Sequence, residues 1–296
     1  MHFIPPFRNT SNGGSLILFF GIIILGTIVS IGIAYFLIFL IAGFQMPSLN
    51  EMVSNIQYVR ILQIFNQIGV FIVPPFLLAF LIEGRTRAYL SFNKVKPLHI
   101  IGTVLLIFSI SPIVTQLMSW NESMRLPESL KGLEQWMQTE EKSADTIVDW
   151  MLSYNDPVSI LINTLMIVVL PALGEELVFR AVLIKLFKGI FRNIHVAILV
   201  SAVVFSAFHL QFYGFFPRMF LGLLFGYLFL WSGSIWLPVL AHLINNGTVV
   251  LITYLHSSNI IVQSPDEFGK VDSPLLVILS VIITTFLAFW FHRTRN

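Results

Sequence analysis

The sequence predicts an all-α, polytopic membrane bundle with about eight transmembrane helices. Three observations predict it. Of 296 residues, 56% are hydrophobic and the mean hydropathy is +0.84, a balance few soluble domains reach. Apolar runs able to cross a hydrocarbon core ~30 Å thick recur along the whole chain. The loops between them alternate between lysine- and arginine-rich and acidic, as successive loops of a spanning protein do.

The expected spans are 15–42, 61–82, 98–118, 157–187, 194–210, 216–231, 235–256 and 274–291. The apolar run of the first exceeds the ~7–15 residues of a cleaved signal peptide, and no small-residue cleavage pattern follows it. It is therefore expected to remain as a helix. The fourth is too long for an ordinary span, so it should protrude or break near Pro171. Between the third and fourth, the polar segment 120–156 carries Leu126, Leu130, Leu133 and Met137, then Ile147, Trp150, Met151 and Tyr154, at helical spacing. Two amphipathic outer helices are expected there, packed on the bundle or closing over it as a lid. One structural unit results, with a three-span region and its outer segment over 1–156 and a five-span region over 157–296.

Charge sets the expected orientation. Arg8, Arg85, Arg87, Lys94, Lys96, Lys188, Arg192, Arg293 and Arg295 fall on one side of the alternating layout. Acids fill the opposite loops, Asp266, Glu267 and Asp272 among them. Basic residues decide orientation, which puts both termini in the cytoplasm of a cell-membrane protein. A net charge of +2 is too small to suggest nucleic acid. The absence of cysteine excludes disulfides, thiolate metal sites, a cysteine nucleophile and palmitoyl anchors.

Chemistry enters at Glu175 and Glu176, adjacent acids inside an apolar stretch. A charge at the centre of a span costs ~2.5–3.5 kcal/mol on insertion scales. A bland explanation exists: Pro171 and Gly174 could break one helix, and the acids could open the next, where the macrodipole favours them. Spacing argues otherwise. Glu176 and Arg180 are i,i+4 and can pair along one face. Glu175 lies ~100° around the helix and is left unpaired, free to act as a general base in a nearly dry cleft.

Two later polar groups join them: His209 at the end of the fifth span, and His242 with Asn246 on one face of the seventh. Glu175 and His209 are each 17 residues from Arg192, so in an antiparallel hairpin both lie ~25 Å from its turn. His242 is only ~10 Å into its own span. The depths agree if the hairpin extends ~15 Å past the membrane, or if the turn before the seventh span is drawn inward. Gln63, Asn66 and Gln67 make a polar stripe on the second span, expected as interhelical glue. His195, His256 and His292 sit at ordinary interfacial positions.

The series Glu175-Glu176-x-x-x-Arg180, Phe205-x-x-x-His209 and His242-x-x-x-Asn246, with the stretch 232–242 before the last, resembles the CPBP family (CAAX protease and bacteriocin-processing, or Abi) of membrane endopeptidases. The likeness is carried by about 157–250. No motif residue is replaced, which favours the active branch. The resemblance implies hydrolysis of a peptide bond in a peptide or protein substrate at or in the bilayer. Glu175 would take a proton from water, and His209 would orient that water. His242 and Asn246 would donate to the oxyanion, and Glu176 with Arg180 would fix the geometry. No cofactor is expected on this reading. A zinc alternative would use Glu175, His209 and His242 as ligands, although the HExxH spacing is absent. A non-catalytic immunity or regulatory protein, using the polar cluster only for packing, is the alternative of a different class. A transporter would show inverted repeats and paired broken helices, and neither is visible.

Overall fold

A computed structural model describes residues 4–265, 269–271 and 273–295. Asp266, Glu267 and Asp272, counted above among the outer acids, lie outside the described residues. The described residues form helices and turns only: α1 (Asn12–Ile41), α2 (Leu49–Ser54), α3 (Ile56–Ile82), α4 (Thr86–Tyr89), α5 (Pro97–Glu122), α6 (Lys131–Leu152), α7 (Pro157–Phe191), α8 (Ile194–Phe208), α9 (Phe215–Ser232), α10 (Trp236–Ser257) and α11 (Pro274–Arg293).

Seven of these, α1, α3, α5, α7, α9, α10 and α11, are long and apolar enough to cross a membrane. The chain is a multi-pass membrane protein. The exception among the eight expected spans is α8. It has 15 residues, a length of only ~22 Å. Leu210 takes a left-handed φ of 53° and stops the helix just beyond His209. α8 lies among the other helices, with Ala197, Ile198 and Ala202 buried. By contrast α1 and α11 expose long apolar side chains such as Ile17, Ile28, Leu275 and Phe286, as lipid-facing helices do.

α7 is the axis of the bundle. It runs unbroken for 35 residues, so the expected break near Pro171 does not occur. Pro171 lacks an N–H, and its ring crowds the carbonyl four residues back, at Ile167. A π-helical turn at Leu165–Val169 relieves the crowding. α3 uses the same device, with a π-helical turn at Ile68–Ile72 ahead of Pro74 and Pro75. A third, at Leu177–Leu183, follows the two glutamates. Every residue from Leu177 to Ile184 is buried, wrapped by α1, α3, α8 and α9.

The relative heights of the two motifs are set near the basic end. Ile235 N donates to Ser91 O (3.0 Å) and Ser234 Oγ to Asn93 O (2.6 Å), tying the start of α10 to the loop after α4. Lys185 on α7 donates to Tyr89 O and to Ser91 Oγ (3.0 Å), so it shares that level. Glu176 is then ~13 Å above the shared level and His242 ~10 Å. The α7–α8 hairpin extends ~10 Å beyond that level, from Lys185 to Arg192. Gly233, with φ 62°, makes the tight turn from α9 to α10 that a residue with a Cβ would strain.

At the opposite, acidic end, the segment between α5 and α7 forms one 22-residue helix, not two. No proline or glycine interrupts 133–152, so the two stripes join across the polar run 139–146. α6 packs on α10, on the start of α7 and on the turn Phe212–Gly214 after His209. Tyr213 N donates to Glu141 Oε2 (2.9 Å), Gln138 Nε2 to Tyr213 Oη (3.2 Å), and Trp136 packs on Phe212.

Candidate active site

Four helices supply the site. α7 carries Glu175, Glu176 and Arg180, the end of α8 carries His209, α9 flanks them, and α10 carries His242 and Asn246. Close approach begins at Gly174, where an added Cβ would lie 2.6 Å from Phe71 Cβ of α3. α8 and α9 also meet closely, since a Cβ on Gly222 would stand 3.1 Å from that of Ala202.

Glu176 is fully buried and pairs on both sides. Its Oε2 is 3.0 Å from Arg180 Nε, and its Oε1 is 2.9 Å from His242 Nδ1. Arg180 is 1% exposed. It donates to Gly222 O (3.3 Å) and lies over the rings of Phe205 and Phe225, 4.6 and 5.4 Å from their centroids. A buried guanidinium is tolerable only when paired and bonded in this way. Phe205 also packs edge-on against both histidines, and Phe225 stacks obliquely on His242.

Glu175 has a different environment. It is 7% exposed, and its Oε2 is buried with no hydrogen-bond partner. His209 Nε2 is 4.0 Å away and His242 Nε2 is 3.9 Å away, both too long for a direct hydrogen bond. The tautomers follow from the far sides of the rings. His209 Nδ1 is 2.8 Å from Phe205 O, and a carbonyl only accepts, so Nδ1 carries the proton. His242 Nδ1 likewise donates to the Glu176 carboxylate. With each Nδ1 committed in this way, Nε2 is the nitrogen that each ring turns toward Glu175 Oε2. Gaps of 3.9 and 4.0 Å are too long for direct hydrogen bonds and match a bridging water, which has two protons to give, one to Glu175 and one to a ring nitrogen.

Asn246 is placed differently from the others. Its Nδ2 donates to Ile167 O (3.1 Å), and its Oδ1 accepts from Asn245 Nδ2 (3.1 Å). Ile167 O is the carbonyl that Pro171 leaves without its usual partner. Asn246 thus re-satisfies the widened turn of α7, as neighbouring side chains do around intramembrane prolines. One of its two N–H groups has no partner among the described residues.

Reading the sequence missed three contributors on one face of α9, at i, i+4 and i+7: Arg218, Gly222 and Phe225. Arg218 donates to Gln211 O (3.0 Å), steadying the loop after His209. A lone arginine in an apolar span was the available signal. Gly222 and Phe225 carried none. The α3 stripe also departs from expectation. Gln63, Asn66 and Gln67 make no side-chain hydrogen bond among the described residues, and Gln67 Oε1 is buried without a partner.

The fold and site define a multi-pass, all-helical membrane protein with a buried carboxylate–imidazole centre. Residues 157–248 match the family model described as type II CAAX prenyl endopeptidase Rce1-like, the same family that the motif series resembles. The match spans just under a third of the chain and contains Glu175, Glu176, Arg180, His209, His242 and Asn246. It supports a membrane protease of the CAAX type, a hydrolase, acting on protein substrate at the membrane. No curated protein and no solved structure matches the chain.

Proposed function

We propose that the protein is an intramembrane endopeptidase that hydrolyses a peptide bond of a membrane-associated substrate with water activated by Glu175. The observation that carries this is the unpartnered Glu175 Oε2, buried and flanked by the Nε2 atoms of two imidazoles at 3.9 and 4.0 Å. A water across these gaps donates to Glu175 and is oriented by His209. As its oxygen attacks the substrate carbonyl carbon, its proton passes to Glu175. Negative charge develops on the carbonyl oxygen. His242, with the Glu176 carboxylate behind it, can carry a second proton on Nε2 and donate to that oxyanion. Asn246 offers its remaining N–H. Collapse of the intermediate breaks the C–N bond, and Glu175 returns its proton to the leaving amine. Glu176 and Arg180 act as positioning residues.

Zinc is the second reading, favoured by the same convergence of acceptors from Glu175, His209 and His242. Zn–N and Zn–O lengths of ~2.0–2.1 Å imply ligand separations of about 3.3 Å in a tetrahedral site. The observed 3.9 and 4.0 Å are wider, and no group of three or more His, Cys, Asp or Glu among the described residues is arranged to hold a metal. The metal-free reading requires no rearrangement. The proposed topology places both termini in the cytoplasm and α6 outside, from the basic-residue asymmetry.

Glu175→Gln tests the reading in cell membranes, where the fate of a trimmed peptide is compared with wild type. The amide keeps the shape but takes no proton, so trimming should fall by ~10²–10⁴-fold or more with the melting temperature in detergent held. Retained trimming ends both enzymatic readings. Loss of folded protein instead supports the packing role of a non-catalytic protein. Inactivation by chelator with recovery on added zinc favours the metalloprotease.

A further inference from the structure

We propose that the hollow beside α4, lined by Arg85, Arg87, Phe92 and Asn93, binds the phosphate of an anionic membrane lipid, and that this lipid braces the start of α10. This second site lies at the basic end of the bundle, about 15 Å along α7 from Glu175 by way of Lys185.

The cavity there has a volume of about 420 Å³ and is lined by Arg85, Thr86, Arg87, Ala88, Phe92 and Asn93. That is within the ~300–1,000 Å³ of small-ligand sites. Phe92 N donates to Arg87 O (3.2 Å), which folds the chain around it. The guanidinium groups of Arg85 and Arg87 make no hydrogen bond, ion pair or ring contact among the described residues. Glu83, close by, acts on Lys185 and Tyr89 instead and does not line the cavity. Membrane orientation requires only that the two cations exist. It does not require a cavity that both of them line.

Two features define the occupant. A guanidinium presents paired N–H groups that match phosphate oxygens bidentately. Beside the cavity lies an aromatic cluster, in which Phe92 stacks on Phe76 (6.0 Å) and packs on Trp236 (5.5 Å). Phe76 and Trp236 are 39% and 46% exposed, and a tryptophan at the end of a span marks headgroup depth. The phosphate level of the leaflet therefore coincides with the arginines, and acyl chains can run over Phe76 and Trp236. A free phosphate would use the arginines alone. The basic-residue asymmetry also sets this end against the cytoplasmic leaflet, which carries the anionic lipids.

The wall of the cavity is the mount of α10. Asn93 Nδ2 donates to Gly233 O (2.7 Å), Ser234 Oγ to Asn93 O and Ile235 N to Ser91 O. Lys185 of α7 donates to Tyr89 O and Ser91 Oγ. One short loop thus grips both the helix of His242 and the helix of the two glutamates. A phosphate bound against Phe92 and Asn93 restrains that loop, and with it the level at which His242 meets Glu176.

The test uses the full-length protein in neutral detergent, in micelles carrying phosphatidylcholine alone or with phosphatidylglycerol. Phosphatidylglycerol should raise the wild-type melting temperature by about 5 °C, the order expected near a hundredfold excess over Kd. Hydrogen exchange from Gly233 to Trp236 should slow with it. Arg85→Gln combined with Arg87→Gln should lose both effects and keep the melting temperature in phosphatidylcholine. Lys188→Gln combined with Arg295→Gln removes equal charge from the same end and should keep both effects. Inorganic phosphate alone should produce neither. A shift that survives in the arginine pair, or is lost equally in the Lys188 and Arg295 pair, shows diffuse attraction and overturns the site. An equal shift with inorganic phosphate overturns the lipid as its occupant. A shift without slower exchange from Gly233 to Trp236 overturns the bracing. Should the arginine pair melt early in phosphatidylcholine, its folded fraction is extracted and its lipid counted. Wild type should retain stoichiometric phosphatidylglycerol and the variant none, and equal retention overturns the site. None of these readouts depends on turnover, so their failure leaves the endopeptidase standing.

Discussion

Glu176 and His242 meet at 2.9 Å, Oε1 to Nδ1, and this contact sets which nitrogen of His242 faces Glu175. The carboxylate accepts from Nδ1–H, so Nε2 is the atom presented across the 3.9 Å gap. Glu176 is at the same time the counter-ion of Arg180 at 3.0 Å. One buried carboxylate therefore neutralises an arginine and selects a tautomer.

Substitution at this pair should affect stability and activity together. Glu176→Gln leaves Arg180 as an uncompensated charge, and breaking a buried pair by removing one partner costs ~3–5 kcal/mol. Arg180→Ala should cost a similar amount. Urea or thermal unfolding in detergent measures it. An unchanged midpoint in both variants would show that the pair contributes nothing to the fold. Residual folded Glu176→Gln should also cleave slowly, because an amide can lock the ring in the wrong tautomer.

Asn246→Ala should be measured for stability as well as turnover. It removes the side chain that bonds Ile167 O, the carbonyl stranded by Pro171. Leaving a buried acceptor unsatisfied costs ~1–3 kcal/mol. The double substitution with Pro171→Ala restores the backbone donor and should recover most of that loss. Absence of recovery would mean that Asn246 matters for something other than the widened turn.

The α6 contact should weaken as pH rises. Burial pushes the Glu141 carboxyl above its ordinary range, partly opposed by the Tyr213 N–H and by Arg218, while Asp145 adds to the rise. The docked state then binds the proton more tightly than the undocked state. Docking is strongest below the ordinary carboxylate value and is lost progressively as pH passes through the raised one. Hydrogen exchange across 131–152 in proteoliposomes should accelerate over that window, and Glu141→Gln should flatten the profile. Slower exchange at higher pH would reverse the sign and reject the linkage.

Orientation can be settled because the chain has no cysteine. A cysteine placed near Lys131 should react with an impermeant reagent in intact cells. One placed near Lys94 should react only after permeabilisation. The opposite pattern would invert the topology.

Much of this structure could be read from residues alone, for definite reasons. The i,i+4 rule paired Glu176 with Arg180 and left Glu175 free, because both facts depend only on helical geometry. The long spans were visible as apolar runs. α8 is shorter than its apolar run suggested, because hydropathy registers Leu210 as apolar whereas its left-handed backbone ends the helix. The single α6 was divided in two because its stripe changes face while its propensity does not. The free carboxamides of Gln63 and Gln67 looked like glue, since composition cannot say whether a polar group has found a partner. Widened turns leave no periodic trace, so neither the continuity of α7 past Pro171 nor the backbone duty of Asn246 could be foreseen.

Those widened turns also fix a phase. The Leu165–Val169 turn lies between Asn163, anchored to Arg60 and Tyr254, and the glutamates below. Each residue advances a helix by ~100°. With the upper anchor held and the helix below kept regular, the loss of one residue there would turn everything beneath by about a quarter revolution. Glu176 would swing away from His242 into the bearing of Glu175, and Glu175 into that of Gly174, although neither acid had changed. The angular setting of the two acids is thus stored in a turn that contains neither of them, much as a keyway fixes the timing of a shaft.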